Sequence, residues 1–315
     1  MPAVVTFFEN LYYRPKWYHW AAAFLLLPFS ILYASIMWIR RRIVRRRRFK
    51  LPIIGVGNLL VGGSGKTPMT ITLAKRYEKA AVVLRGYGRK SRGLVVVSRW
   101  GRIESDVETS GDEAMLLARS LPDATIIVAE DRIEAIEKAH AMGATIVFLD
   151  DAFSKVGIEK FEILLYPAKT PNILPLPSGP FREFPSEKKF ADLVLVEGRD
   201  FERIVTCEGC DEPMLLVTAI ANPQRLEPFL PKGRIKGRLI RPDHAWFDTN
   251  EIERAMQIAG VKKILTTQKD AVKLETSGFD MALLTLRLRI EPTVFDAIER
   301  YVERFDTQRP AAAPT

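Results

Sequence analysis

The stretch GNLLVGGSGKTP, residues 57–68, decides how the rest of the chain is read. It ends as a phosphate-binding loop ends, in Gly65, Lys66 and Thr67, but Leu60 stands where the usual spacing wants its first glycine. The context favours a nucleotide site over a bare glycine turn. An apolar strand-like run, Ile53 to Val56, enters the loop, and an amphipathic segment from Pro68 to Lys79 leaves it. Gly62, Gly63, Ser64 and Gly65 let successive backbone N–H groups turn inward, and the following helix adds its positive end, so phosphate oxygens are held. Lys66 would reach the β- and γ-phosphates of ATP, and the Thr67 hydroxyl would bind Mg²⁺.

Such a loop needs a carboxylate at the end of a neighbouring strand. TIVFLDD, residues 145–151, supplies Asp150 and Asp151; the alternative is that one aspartate only caps the next helix. Short Val- and Ile-rich runs alternate with longer amphipathic segments from residue 51 onward, which predicts crossover units around a parallel sheet. The expected fold is α/β: a P-loop NTPase-like parallel sheet domain, a second, smaller α/β domain, and an N-terminal membrane-associated helix. A proline-rich stretch, PAKTPNILPLPSGPFREFP, marks the expected junction. The expected boundaries are 1–49 for the membrane-associated segment, 50–170 and 171–305 for the two domains, and 306–315 for a disordered tail.

The net charge of +9 over 315 residues is localised. Residues 1–50 hold ten Lys/Arg and one acid, while the remainder balances 37 against 37. The body therefore has no general nucleic-acid-binding character. The same end is the most apolar: the 23 residues from Trp17 to Ile39 carry no Asp, Glu, Lys or Arg. As a helix they would run about 35 Å against a hydrocarbon core of about 30 Å. The positive cluster RRRIVRRRRFK follows the apolar run, unlike in a signal peptide. The segment either spans the bilayer or breaks at Pro28 and lies in one leaflet, with the arginines against anionic headgroups; a buried core helix with a basic tail is the remaining alternative. Cys207 and Cys210 form one C-x-x-C, read as two reduced thiols in a loop.

Loop and aspartates make a nucleoside-triphosphate site without choosing between kinase and ATPase. Two further residues bear on that choice. Asp112 opens a helix in GDEAMLLA and could simply be its cap; His244 lies in RPDHAWF and could be structural. Only a cleft between the two expected domains would bring them together.

Taken in order, GNLLVGGSGKTP, LRGYGRKSRG, GDEAMLLA, VAEDR, LPSGPFREF, PDH and TTQKDAVKL resemble the tetraacyldisaccharide 4′-kinases of lipid A biosynthesis, a family whose loop also lacks the first glycine. The resemblance covers most of the chain. It implies transfer of the γ-phosphoryl of MgATP to the 4′-hydroxyl of an acylated glucosamine disaccharide 1-phosphate, by a monomer at the cytoplasmic face of the inner membrane. It implies that Asp112 takes the hydroxyl proton, that His244 orients or tunes it, and that Lys66 carries charge neutralisation. It places Arg132 and Arg182 near phosphates or substrate and Glu183 near the metal. The basic run Arg85 to Arg92 would meet the substrate's 1-phosphate or anionic lipid, or be a solvated loop. Where the family usually reads DDGFQH, this chain reads DDAFSK, residues 150–155, so its turn is expected to differ at Ala152, because alanine tolerates positive φ poorly. A membrane-tethered kinase for another glycolipid, or an NTPase switch without a lipid acceptor, are the alternative functions.

Overall fold

A computed structural model describes residues 3–306; the expected disordered tail lies almost wholly outside the described residues. The chain divides into two compact units. One holds residues 1–66, 145–202 and 290–315; the other holds residues 67–144 and 203–289.

In the first unit, β1 (Ile53–Asn58), β6 (Ile146–Asp150), β7 (Phe161–Tyr166) and β8 (Leu193–Val196) are parallel, in the order β6-β1-β7-β8. Every residue of β1 is buried, as a central parallel strand requires. Register Val56↔Asp150 brings the end of β6 beside the end of β1, so the glycine loop and the aspartate pair leave the sheet at one edge. α9 (Pro292–Asp306) returns to this unit, and its Tyr301 hydroxyl accepts from the Ile53 amide at 3.4 Å.

Two N-terminal helices, α1 (Ala3–Tyr13) and α2 (Trp17–Ile43), also belong to it. α2 runs unbroken through Pro28, so of the two alternatives for this segment the break at Pro28 is not seen. It is long and apolar enough to cross a membrane, with a mean hydropathy of 2.0 in its most apolar window, of which only 17% is buried. The buried residues are His19, Ala23, Ser30, Ala34 and Arg41, a stripe at alternating spacings of four and seven. Small side chains let α2 approach closely: Ser30 Oγ donates to Ser178 Oγ at 2.7 Å, and Ser178 Oγ donates to the Ala23 carbonyl at 2.8 Å. Trp17, Phe24, Leu25, Phe29, Leu32 and Ile43 are exposed.

In the second unit, β2 (Ala80–Leu84) and β5 (Thr125–Val128) are parallel, and β3 (Val95–Arg99) runs antiparallel to β5 and to β4 (Arg102–Ile103). The helices here are α3 (Lys66–Ala74), which begins at the unit boundary, α4 (Val107–Ser110), α5 (Asp112–Ser120) and α6 (Arg132–Ala141). A five-stranded sheet follows, ordered β11-β10-β12-β13-β9, from β9 (Phe201–Glu208), β10 (Met214–Thr218), β11 (Ile235–Ile240), β12 (Lys263–Thr267) and β13 (Asp280–Ile290). α7 (Thr249–Ala259) packs Ile252 into the core formed by Leu215, Val217 and Ile264, and α8 (Gln268–Leu274) follows β12 directly. Cys207 and Cys210 are joined as a disulfide, contrary to the reading as reduced thiols; the turn at Gly209 (φ 72°) brings their Cα atoms to 5.8 Å.

Candidate active site

The phosphate loop lies in the first unit between Asn58 and the start of α3. Gly62 (φ 93°) and Gly65 (φ 86°) occupy backbone conformations that side chains avoid, which explains those two glycines. Space alone does not demand Gly63, since a Cβ there would meet nothing within 4 Å. Gly57 is needed by packing: a Cβ would stand 2.5 Å from Phe153 Cβ and 2.6 Å from its amide nitrogen. The DDAFSK turn therefore sits directly against the strand that enters the loop.

Lys66 Nζ lies 3.3 Å from Asn58 Oδ1, 3.5 Å from Ser64 Oγ and 3.5 Å from Asp151 Oδ1. Arg182 Nη1 meets the same carboxylate at 3.3 Å, and the Arg182 amide donates to the Leu59 carbonyl at 2.7 Å. Burial would raise the Asp151 pKa, but Lys66 and Arg182 outweigh it and hold it below the usual carboxylate value. Asp150 is buried, and its Oδ1 accepts from the Asp151 amide at 3.0 Å. The positive φ of this turn falls on Asp151 (54°) and not on Ala152, whose amide donates to the Val56 carbonyl. Alanine in place of glycine thus brings no backbone strain here, which corrects the expectation at that position.

Glu183 is buried at 3% exposure, and both its oxygens accept from Arg41 of α2, at 2.8 and 2.9 Å. Among the described residues no group of three or more His, Cys, Asp and Glu side chains could hold a metal ion. The donor set at the loop is oxygen only and includes an adjacent pair of carboxylates, which suits a hard cation such as Mg²⁺ that takes its other ligands from phosphate and water.

The second unit contains Asp112 and His244 as a hydrogen-bonded pair. Asp112 is the first residue of α5, 4% exposed, and its Oδ1 lies 2.9 Å from His244 Nδ1. His244 follows β11 in a left-handed conformation (φ 62°), and its amide donates to the Ala219 carbonyl at 3.2 Å. No junction between separate domains is needed for this pair: both residues belong to one compact unit.

Two lysines of α8 complete it, and their roles were not read from the sequence. Lys273 Nζ, with a side chain 2% exposed, lies 3.2 Å from Asp112 Oδ2 and 3.3 Å from Asp270 Oδ1, and donates to the Ala245 carbonyl at 3.1 Å. Asp270 is fully buried and accepts from Thr218 Oγ1 and the Ala219 amide. Lys269 Nζ lies 3.1 Å from Asp243 Oδ1, 3.5 Å from Glu113 Oε1 and 3.4 Å from His244 Nε2. Burial pushes Asp112 up, but the His244 hydrogen bond and the two lysines prevail and bring it down to about 2. Burial lowers His244, Asp112 more than offsets this, and the imidazole is raised above its ordinary value.

Arg132 is buried at the start of α6, where it donates to the Ala129 carbonyl. In the basic run, Arg89 pairs with Glu130 at 2.6 Å and Lys90 with Glu108 at 2.8 Å, while Arg85 and Arg92 are exposed.

The family model for tetraacyldisaccharide-1-P 4′-kinase matches residues 22–209 and 207–303. The chain belongs to the tetraacyldisaccharide 4′-kinase family. It is 47% identical to the tetraacyldisaccharide 4′-kinase of Aliarcobacter butzleri over 94% of this chain and 97% of that one. It is 44% identical to the Helicobacter pylori (strain HPAG1) enzyme of that name, over 94% and 95% of the two chains. Its fold is that of the "apo" form LpxK from Aquifex aeolicus, solved in complex with ATP, with a TM-score of 0.76 and 25% identity over 89% of this chain and 99% of that one. The α/β reading with a P-loop is thereby borne out.

Proposed function

We propose that this protein transfers the γ-phosphoryl group of ATP to the 4′-hydroxyl of tetraacyldisaccharide 1-phosphate. The observation that carries the reading is the buried Asp112 bonded to His244 at 2.9 Å, in a chain of this family that also holds a phosphate loop. A switch that hydrolyses nucleotide has no use for such a pair.

Inward-facing amides of the glycine loop and the N-terminal end of α3 hold the phosphates, and Lys66 neutralises charge that develops on the transferred group. The Thr67 hydroxyl and the Asp150–Asp151 pair would hold Mg²⁺, which would add charge neutralisation at the phosphates. Glu183 stands next to Arg182 with both oxygens accepting from Arg41, and steadies that side of the set. Arg182 serves the phosphates while steadying Asp151. Arg132 is assigned to holding the first turn of α6 near the substrate.

The acceptor oxygen attacks the γ-phosphorus, the bond to the β-phosphate oxygen breaks, ADP leaves, and the hydroxyl proton passes to Asp112. A carboxylate of low pKa is a weak base, but in a loose transition state the proton leaves late, and proximity matters more than base strength. His244, bonded to the carboxylate through Nδ1 at 2.9 Å, orients it toward that proton.

The acceptor carries acyl chains and stays in the bilayer, since each buried CH₂ contributes about 0.8 kcal/mol. The exposed apolar face of α2 seats the enzyme as a monomer on the cytoplasmic face of the inner membrane, with Arg40, Arg42 and Arg45 to Arg48 at the headgroups. Transfer of label from γ-labelled ATP to the disaccharide in detergent tests the reading; label appearing only in free phosphate would refute it.

A further inference from the structure

The arginines after the apolar helix read as one headgroup-binding cluster, but Arg41 turns inward. Its side chain is 3% exposed at the end of a helix whose outer face is apolar. Nε and Nη2 donate to the two oxygens of Glu183 at 2.8 and 2.9 Å, and Nη2 also donates to the Phe153 carbonyl at 3.0 Å. The guanidinium lies over the Phe153 ring, 4.3 Å from its centroid. Its neighbours reach the same two segments: Arg40 donates to the Ser154 carbonyl at 3.3 Å, and Arg42 pairs with Glu187 at 3.3 Å.

Both segments gripped by Arg41 lead straight to the phosphate site. Phe153 is two residues past Asp151, and its Cβ packs where any side chain at Gly57 would stand. Glu183 is next to Arg182, and residues 180–182 are laced to the loop: Val61 N donates to the Pro180 carbonyl at 3.0 Å, Arg182 N donates to the Leu59 carbonyl at 2.7 Å, and Leu60 bridges Phe181. Arg182 and Lys66 then converge on Asp151. From α1, the Tyr13 hydroxyl donates to the Val61 carbonyl.

We propose that Arg41 is a positioning residue for the ATP phosphates: by clamping Glu183 and the Phe153 carbonyl it fixes the Arg182–Asp151–Lys66 constellation, so that the seating of α2 sets the nucleotide site. A surface anchor alone needs no buried bidentate arginine, because headgroup attraction works with solvated side chains. A bidentate guanidinium–carboxylate pair imposes direction as well as charge, and lysine cannot reproduce it. The N-terminal helix is then part of the catalytic apparatus.

The inference rests on the phosphate-loop reading, which binding of a non-hydrolysable ATP analogue to the wild type tests by itself. Full-length wild type, Arg41→Met and Arg41→Lys are compared in detergent for analogue affinity and for KM of ATP and of the acceptor. Pelleting with phosphatidylethanolamine–phosphatidylglycerol vesicles is measured alongside. Arg41→Met is expected to weaken ATP about tenfold, with acceptor KM held within about twofold and pelleting unchanged. Arg41→Lys recovers part of the loss, since an ammonium meets Glu183 without holding the planar fork. If Arg41→Met does not fold, Arg41→Lys decides by the same split. Unchanged ATP affinity in either folded variant overturns the proposal. So does lost pelleting with ATP affinity kept, which would make Arg41 a headgroup contact.

Discussion

Lys273 ties Asp112 to the turn that carries His244: its ammonium lies 3.2 Å from Asp112 Oδ2 and donates to the carbonyl of Ala245, the residue after His244. With the His244 hydrogen bond and Lys269 it helps keep Asp112 ionised, and it holds the left-handed turn that presents the imidazole. Replacing it with methionine removes a buried cation between two carboxylates, Asp112 and Asp270. The Asp112 pKa should then rise, because burial is no longer opposed as strongly. Wild-type kcat is expected to be flat below neutrality down to about pH 5, whereas Lys273→Met shows an acid limb moved upward and a kcat at least about tenfold lower. Steady-state kinetics against pH checks this; coincident acid limbs would remove Lys273 from the mechanism.

Asp112→Asn and His244→Gln should each lower kcat by about 10²–10⁴-fold while leaving the ATP KM within about threefold. A unit acting on one proton is not additive, so the double variant should be about as slow as the worse single one. Multiplicative losses would mean that the two residues act separately.

Stability should carry the signature of the same pair. Asp112 falls from 3.8 to about 2 on folding, so its contribution is present above 3.8 and is lost as pH falls toward 2. His244 is raised above 6.5, so its contribution is complete below 6.5 and fades as pH rises through the folded value. The melting-temperature gap between wild type and His244→Gln is therefore expected to be widest below pH 6.5 and to narrow above it. Thermal scans across that range measure it; a gap that widens with pH would contradict the charge assignment.

The strand–loop–helix order around Lys66 was legible because each part has its own signal: a buried Val/Ile run, glycines where φ is positive, and an amphipathic helix. The chemistry of Asp112 and His244 came through resemblance, since no periodicity links residues 132 apart. Lys273 and Arg41 were hidden for a different reason. A lysine in a polar helix and an arginine in a basic run read as solvated, and only tertiary packing turns them inward. The short hairpin β3–β4 left too few residues for alternation to show. The expected strain at Ala152 misplaced the turn's left-handed residue by one position.

Two kinds of change to α2 should separate anchoring from structure. Phe24, Leu25 and Leu32 are 68%, 78% and 62% exposed, so the triple change to serine should abolish vesicle pelleting with little change in melting temperature. Deleting residues 1–43 instead leaves Glu183 and Ser178 without Arg41 and Ser30. The deletion also uncovers the surface on which the buried stripe of α2 packs, so the shortened protein should be destabilised. A deletion variant as stable as wild type would mean that α2 is only a tether.

The central claim is tested most directly by transfer of γ-labelled phosphate from ATP to tetraacyldisaccharide 1-phosphate in detergent, using wild type and Asp112→Ala side by side. Label in the disaccharide with wild type, almost gone in Asp112→Ala while an ATP analogue still binds both, is the predicted result. Equal label with the two proteins, or none in the lipid while wild type binds the analogue, would contradict the account.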